Sequence, residues 1–351
     1  MKAWLVYDFN KMRLEDIEVP KVKPAWVLVK VKVVQPSITE VMTFRGMLTS
    51  PVIKKRLEEA PVQLFGHEFY GEVVDIGKGV NRIKIGDMVA DHSVAPCRKC
   101  RLCRTGFSDY CENRIYVGAT IPGAFAEYIV IPEELLISIP PNISASEAAC
   151  IQPLSECVTE VYDSRINPAD TIAIIGQGVM GLFSLSIVRY AGAGRVIVTA
   201  LREYSLKVSK DLGANYVINS EKMDPVKTIL ELTHGIGADI VFECSGVGSN
   251  IMKALEMVRR NGKIVCLSII GGQTPLSLAD FRSKCVDLIF PRLTTFRMLD
   301  HAVFLLSNKL INIKPLITHI LKGIDKVPES FEITGNKSKY KAINSAQVII
   351  S

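Results

Sequence analysis

The sequence predicts an α/β protein of two domains, one mainly β and irregular, the other a doubly wound parallel sheet. Three observations predict it. Up to about residue 150, alternating apolar and polar residues fill short segments such as WVLVKVKVV, FYGEVVDIG and AFAEYIVIP, with Gly and Pro between them. From residue 154, strand patterns (TIAIIG, RVIVTA, YVIN, DIVFECSG) alternate with helical ones (GLFSLSIVRYAGA, SLKVSKDLGA). That order suits a parallel sheet covered on both faces. After residue 289 the pattern is mixed and ends in AQVII, so the tail is expected to rejoin the first domain. The expected division is 1–153 with 290–351, and 154–289 between them.

Composition sets the class. Of 351 residues, 48% are hydrophobic and 22% charged, the balance of a soluble globular protein. No apolar run of about eighteen residues appears, which argues against a membrane span. The start, MKAWLVYDFN, lacks the features of a signal peptide, so a cytoplasmic location is expected. A net charge of +6 is scattered, and the run Lys54, Lys55, Arg56 is followed at once by Glu58 and Glu59. Nucleic-acid binding would need a basic face. The expected partner is a small molecule.

TIAIIGQGVMG places Gly176, Gly178 and Gly181 after an apolar strand and at the start of a helix. In that context the first glycine allows the turn, the second lets backbone approach a pyrophosphate, and the third lets helix pack on strand. The helix start, Val179 and Met180, offers N–H groups and a partial positive charge to phosphates. At the end of the next strand, RVIVTALRE carries Ala200 where an acidic residue would hold the ribose of NAD, with Arg202 two residues on. A guanidinium suits a 2′-phosphate. NADP(H) is therefore the expected cofactor, with NAD(H) open because Glu203 is close.

Nine cysteines include four within CRKCRLCRTGFSDYC: Cys97, Cys100, Cys103 and Cys111. The spacing C-x2-C-x2-C-x7-C lets four thiolates converge on one structural zinc with no open position. A ferredoxin-type run would end in C-x3-C-P, which is absent. Cys150, Cys157, Cys244, Cys266 and Cys285 read as mostly buried, inert thiols.

GHEFYGEVVDIGKGVNRIKIGDMVA, the four-cysteine loop, GAFAEYIVIP, QPLSECV and GQGVMG together resemble, in the same order, the zinc-dependent medium-chain alcohol and polyol dehydrogenases. The resemblance spans nearly the whole chain. It implies a GroES-like catalytic domain built from both chain ends, a Rossmann domain between them, an active site in the cleft and assembly as a homodimer or homotetramer. It also implies catalytic zinc ligands from a cysteine, the His of GHE and an acidic or Cys residue before the first Rossmann helix. Laid on that pattern, VKVVQPSITEVMTFRG puts Ser37 at the cysteine position, Thr39 at the hydroxyl that meets the substrate oxygen and Glu40 at the following aspartate. Met42 stands where a relay histidine often sits. His67 and Glu68 match GHE, and Gln152 takes the third ligand position. By the resemblance His67 and Glu68 would hold a catalytic zinc.

Ser37, His67 and Gln152 bring no negative charge, and an amide oxygen suits harder cations than zinc. The sequence thus argues against a tightly held catalytic zinc and for the structural one. It leads to an oxidoreductase moving hydride between nicotinamide and an alcohol or carbonyl carbon. Without the metal, Thr39 and protonated His67 are the candidates for stabilising the alkoxide. The alternatives are a zinc-independent reductase of a conjugated carbon–carbon double bond and an inactive nucleotide-binding protein. Met42, Phe44 and Leu64 are apolar residues near the expected cleft and equally candidates for packing, and PVIKKRLEEAPVQLF is open to a substrate-side helix that no motif specifies.

Overall fold

The computed structural model describes residues 1–48, 50–270, 273–291 and 295–350. It separates into two compact units. One comprises Met1–Pro153, Thr295–Asn308 and Ile317–Ser351, the other Leu154–Thr294 and Lys309–Leu316. Among the described residues, no helix is long and apolar enough to cross a membrane.

The first unit is built on the strand Trp26–Val34, whose alternation in sequence becomes alternation in burial. It pairs antiparallel with Phe69–Ile76, with Tyr128–Pro132 and with Gln347–Ile349 near the chain end. Met88–Asp91 and Leu136–Ser138 extend the sheet, and Ile320–Lys322 pairs parallel with Gln347–Ile349. Val27, Val29, Val31, Phe69, Val73 and Ile131 form its core. Phe331 lies 5.4 Å from Phe44 and 5.3 Å from Phe125, ring centre to ring centre. Such aromatic pairs contribute about 0.5–1.5 kcal/mol each beyond burial. Phe44 closes the helix Ile38–Phe44, so this cluster anchors the segment that carries Thr39. Phe44 and the fully buried Leu64 are therefore packing residues. PVIKKRLEEAPVQLF does contain a helix, Pro51–Leu57, started by Ser50 and buried only at Ile53.

The second unit carries a six-stranded, all-parallel sheet. Its order is Tyr216–Asn219, Arg195–Ala200, Thr171–Ile175, Ala238–Glu243, Val258–Cys266, Asp287–Ile289. The two middle strands are apolar almost throughout and buried, as a sheet covered on both faces requires. Glu160, fully buried, lies on the helix Ile151–Ser164. Its Oε2 accepts from Ser184 Oγ at 2.6 Å, and Cys244 Sγ lies 3.8 Å from Oε1. Burial pushes this carboxyl up to about 8, against the opposing pull of both hydrogen bonds.

The consequence for stability has a definite sign. Between the ordinary carboxyl value of 4.5 and about 8, the folded chain keeps a proton on Glu160 that the unfolded chain has lost. Stability conferred at low pH therefore falls as pH rises through that window. Glu160→Gln is expected to flatten this fall, melting above the wild type at pH 8 and close to it at pH 5. Thermal midpoints measured from pH 5 to 9 check it, and parallel profiles for the two proteins would contradict it.

Cys285 departs from the sequence reading. It is exposed, and it ends the helix Leu278–Lys284 in a left-handed conformation.

Candidate active site

The start of the helix Ile38–Phe44 is fixed by a capping box. Ser37 Oγ accepts the Glu40 N–H at 3.1 Å, and Glu40 Oε2 accepts the Ser37 N–H at 3.0 Å. Ser37 Oγ also bonds Thr39 Oγ1 at 2.8 Å. The second Glu40 oxygen, Oε1, lies 2.6 Å from His67 Nδ1 and accepts the Gly66 N–H at 2.7 Å. Gly66 has φ of +84°, and a Cβ there would come within 2.7 Å of the Ala124 nitrogen. Only glycine lets the backbone pass this closely while aiming its N–H at Glu40. Burial alone would lower the basicity of His67, but the Glu40 carboxylate outweighs it and raises the imidazole to about 10. Facing a carboxylate, Nδ1 carries a proton and Nε2 is left for a ligand.

Glu68 engages a different set. Its Oε2 accepts from Gln35 Nε2 at 2.5 Å. Gln35 Oε1 accepts from Asn344 Nδ2 at 3.1 Å and Gln347 Nε2 at 2.9 Å, and both amides also reach Cys150 Sγ. Cys150 is thus buried, as the sequence suggested, but set among polar groups. Burial pushes Glu68 up to about 7, with His67 and the Gln35 amide pulling the other way. Asp91 is fully buried; Oδ1 accepts the Phe69 N–H at 3.3 Å, and Oδ2 has no hydrogen-bond partner among the described residues. Burial holds its carboxyl well above the usual range, opposed by the nearby His67. Gln152 Nε2 donates to Ser93 Oγ at 3.1 Å.

The structure therefore joins Ser37, Thr39, Glu40 and His67 in one network. Glu68 bonds Gln35, and Gln152 donates to Ser93. At the position where the resemblance calls for a cysteine ligand, Ser37 Oγ is committed to the helix start, and both Glu40 oxygens are occupied. Among the described residues, three or more His, Cys, Asp or Glu ligand atoms converge in one place, the four-cysteine loop.

That loop does fit zinc. Cys97, Cys100, Cys103 and Cys111 have all sulfurs within 4.8 Å of one another. The Cys97–Cys103, Cys100–Cys103 and Cys100–Cys111 separations are 3.9, 3.5 and 3.8 Å. A tetrahedron with Zn–S bonds of about 2.3 Å requires sulfurs about 3.8 Å apart.

In the second unit, Gly178 caps the helix Val179–Tyr190, with open space where a Cβ would point. At Gly181 a Cβ would stand 2.0 Å from the Gly176 carbonyl oxygen, so helix and turn pack in contact. The N–H groups of Val179 and Met180 begin the helix beside that open space. Ala200 ends its strand, and the Arg202 guanidinium sits over the Tyr204 ring, 5.0 Å from its centre. Glu203 is held by Asn219 at 2.7 Å and Lys222 at 2.6 Å.

Residues 23–141 match the family model described as alcohol dehydrogenase GroES-like domain, and residues 179–301 match zinc-binding dehydrogenase. An L-threonine 3-dehydrogenase of Pyrococcus furiosus is 32% identical over 328 residues, covering 91% of each chain. The chain belongs to the zinc-type medium-chain dehydrogenase/reductase family. Other members of that family extend the comparison. Sorbitol dehydrogenase of Bacillus subtilis is 28% identical over 323 residues, 91% of this chain and 89% of that one. A protein of Sinorhizobium meliloti 1021, assigned as a zinc-binding dehydrogenase and solved bound to NADP, superposes with a TM-score of 0.88 at 25% identity. The match covers 99% of this chain and 98% of that one. Like these relatives, this medium-chain dehydrogenase/reductase is an NAD(P)-dependent oxidoreductase of alcohol and carbonyl groups.

Sequence reasoning passed over Gln35, Asp91 and Ser93, which sit in short strand-like segments without a motif. One signal was available. Ser37-x-x-Glu40 is the capping-box pattern, and it shows that the serine at the ligand position serves the helix start.

Proposed function

We propose that this oxidoreductase works with NADP(H) in preference to NAD(H), and that Thr39 and His67 handle the substrate oxygen without a catalytic zinc. The observation that carries the reading is the Glu40–His67 contact of 2.6 Å, with Thr39 tied to the same network through Ser37. A bound nicotinamide would supply the hydride for carbonyl reduction, and Thr39 Oγ1 and His67 Nε2–H would donate hydrogen bonds to the carbonyl oxygen as charge develops. The imidazole then gives its Nε2 proton to the alkoxide, and Glu40 keeps Nδ1 protonated throughout. Alcohol oxidation runs the same steps backwards. Met42 takes no part in proton transfer.

The cofactor preference rests on Arg202, Ala200 and Glu203. No carboxylate ends the strand at Ala200, Tyr204 supports the guanidinium, and Glu203 is drawn to Asn219 and Lys222. A charge-assisted pair with a 2′-phosphate contributes about 1.5–3 kcal/mol. Arg202→Ser is therefore expected to cut the NADPH-to-NADH ratio of kcat/KM by roughly 10–100-fold. A ratio that does not move, or a wild type that prefers NADH, contradicts the assignment.

Cys97, Cys100, Cys103 and Cys111 would hold one structural zinc per chain, which crosslinks the loop and takes no part in hydride transfer. A homodimer or homotetramer in the cytoplasm completes the reading, and light scattering measures the assembly.

A further inference from the structure

We propose that Glu160 is a positioning residue for the dinucleotide, holding a proton beneath the first turn of the cofactor helix and so coupling cofactor binding to that proton. This builds on the nicotinamide-cofactor reading above and holds for NADP(H) and NAD(H) alike. A chain of contacts inside the second unit carries it. Ser184 Oγ lies 2.6 Å from Glu160 Oε2 and 2.9 Å from the carbonyl oxygen of Met180. Met180 is the second residue of the helix Val179–Tyr190, and its carbonyl also faces Cys157 Sγ at 3.5 Å.

A hydroxyl has one proton to donate, so Ser184 cannot donate fully to both oxygens. When Glu160 is ionised, its carboxylate draws the Ser184 proton and the Met180 carbonyl loses that donor. When Glu160 is protonated, its own O–H donates to Ser184 Oγ, and the serine proton turns to Met180. The hydrogen bonds then run from Glu160 through Ser184 to the peptide joining Met180 to Gly181. A bond to the carbonyl of a peptide strengthens its N–H as a donor. The Gly181 N–H belongs to the first turn, where a helix offers its N–H groups to phosphates. Ionised Glu160 acts against this twice. It withdraws the bond, and it sets a negative charge behind the partial positive charge that attracts phosphate.

The ionisable groups around the carboxyl come from three elements. Cys157 shares its helix, Glu243 and Cys244 stand at and just after the end of the strand Ala238–Glu243, and Cys266 ends Val258–Cys266. Burial holds the Cys157 and Cys244 thiols well above the usual range and pushes Cys266 up to about 12, so these stay protonated. The Glu243 carboxyl accepts the N–H groups of Ser245 and Gly246 at 2.9 and 3.3 Å, and its charge opposes ionisation of Glu160. Glu160, pushed up to about 8, is the member of this set that titrates near neutral pH. Bound phosphates raise it further. Binding therefore takes up protons in that region, and affinity falls as pH rises through about 8.

Binding of NADPH and of NADH, followed by nicotinamide fluorescence from pH 6 to 9, tests the coupling. The Kd of wild type is expected to rise by roughly three- to tenfold for both cofactors across that range. Glu160→Gln keeps the shape and a donor but has no proton to lose, so its Kd should stay nearly constant. Ser184→Ala breaks the chain and should bind more weakly than wild type at pH 7. Calorimetry at pH 8, in two buffers of different ionisation enthalpy, should record uptake of a fraction of a proton per cofactor by wild type, lost in Glu160→Gln. Parallel Kd profiles for wild type and Glu160→Gln, or no proton uptake by wild type, would overturn the proposal and leave the dinucleotide site standing. A Ser184→Ala protein that binds at pH 7 as wild type does would overturn it as well. Failure of wild type to bind either cofactor at any pH would overturn the dinucleotide reading itself, and this inference with it.

Discussion

His67→Ala is expected to lower kcat/KM for the carbonyl substrate by about 10²–10³-fold, the usual loss when one donor to a developing oxyanion is removed. Zinc content should stay at about one per chain. The loss follows from the geometry. His67 Nδ1 lies 2.6 Å from Glu40 Oε1, so Nε2 is the ring nitrogen proposed to donate to the substrate oxygen. Glu40→Gln should fall in the same direction by a smaller factor, because an amide oxygen can still accept from Nδ1 but brings no charge. Steady-state kinetics and zinc analysis on the same preparations check both variants. A His67→Ala protein that loses zinc along with its activity would contradict the assigned role.

Cys100→Ser is expected to empty the four-cysteine loop and lower the melting temperature by about 8–16 °C. Loss of a structural metal belongs among the changes that cost about 4 kcal/mol or more. For the unit that carries the loop, each kcal/mol moves its midpoint by about 2–4 °C. The loop has little else to hold it. Its helix, Arg101–Arg104, has no buried residue, and of the four cysteines one, Cys111, is buried. A chelator should give wild type the same lowered midpoint and leave the variant where it is. Calorimetry with and without chelator reads the effect, and a melting curve indifferent to chelation would contradict a metal in the loop.

Much of the architecture was legible because period and punctuation were unambiguous. WVLVKVKVV alternates in sequence and is a strand with alternating burial, and TIAIIG, RVIVTA and DIVFECSG became neighbouring parallel strands. The glycine loop was legible because each glycine answers a local steric demand, as Gly181 does against the Gly176 carbonyl. The cysteine loop was legible because short spacings force the four sulfurs together.

The catalytic constellation was harder to read because long-range partners decide it. Nothing in GHE shows that Glu68 bonds Gln35, which is itself tied to Asn344 and Gln347 some three hundred residues away. QPLS does not show that Gln152 donates to Ser93. Asp91, buried with one oxygen unpartnered among the described residues, lies in an ordinary strand sequence. The stacking of Arg202 on Tyr204 likewise needed the turn that brings the two side chains together.

The central claim is that the chain binds zinc in its cysteine loop and performs its chemistry through His67, Glu40 and Thr39. Elemental analysis of metal-replete wild-type protein tests it most directly. The structure predicts about one zinc per chain, released in Cys100→Ser; about two per chain, with one retained in that variant, would contradict it.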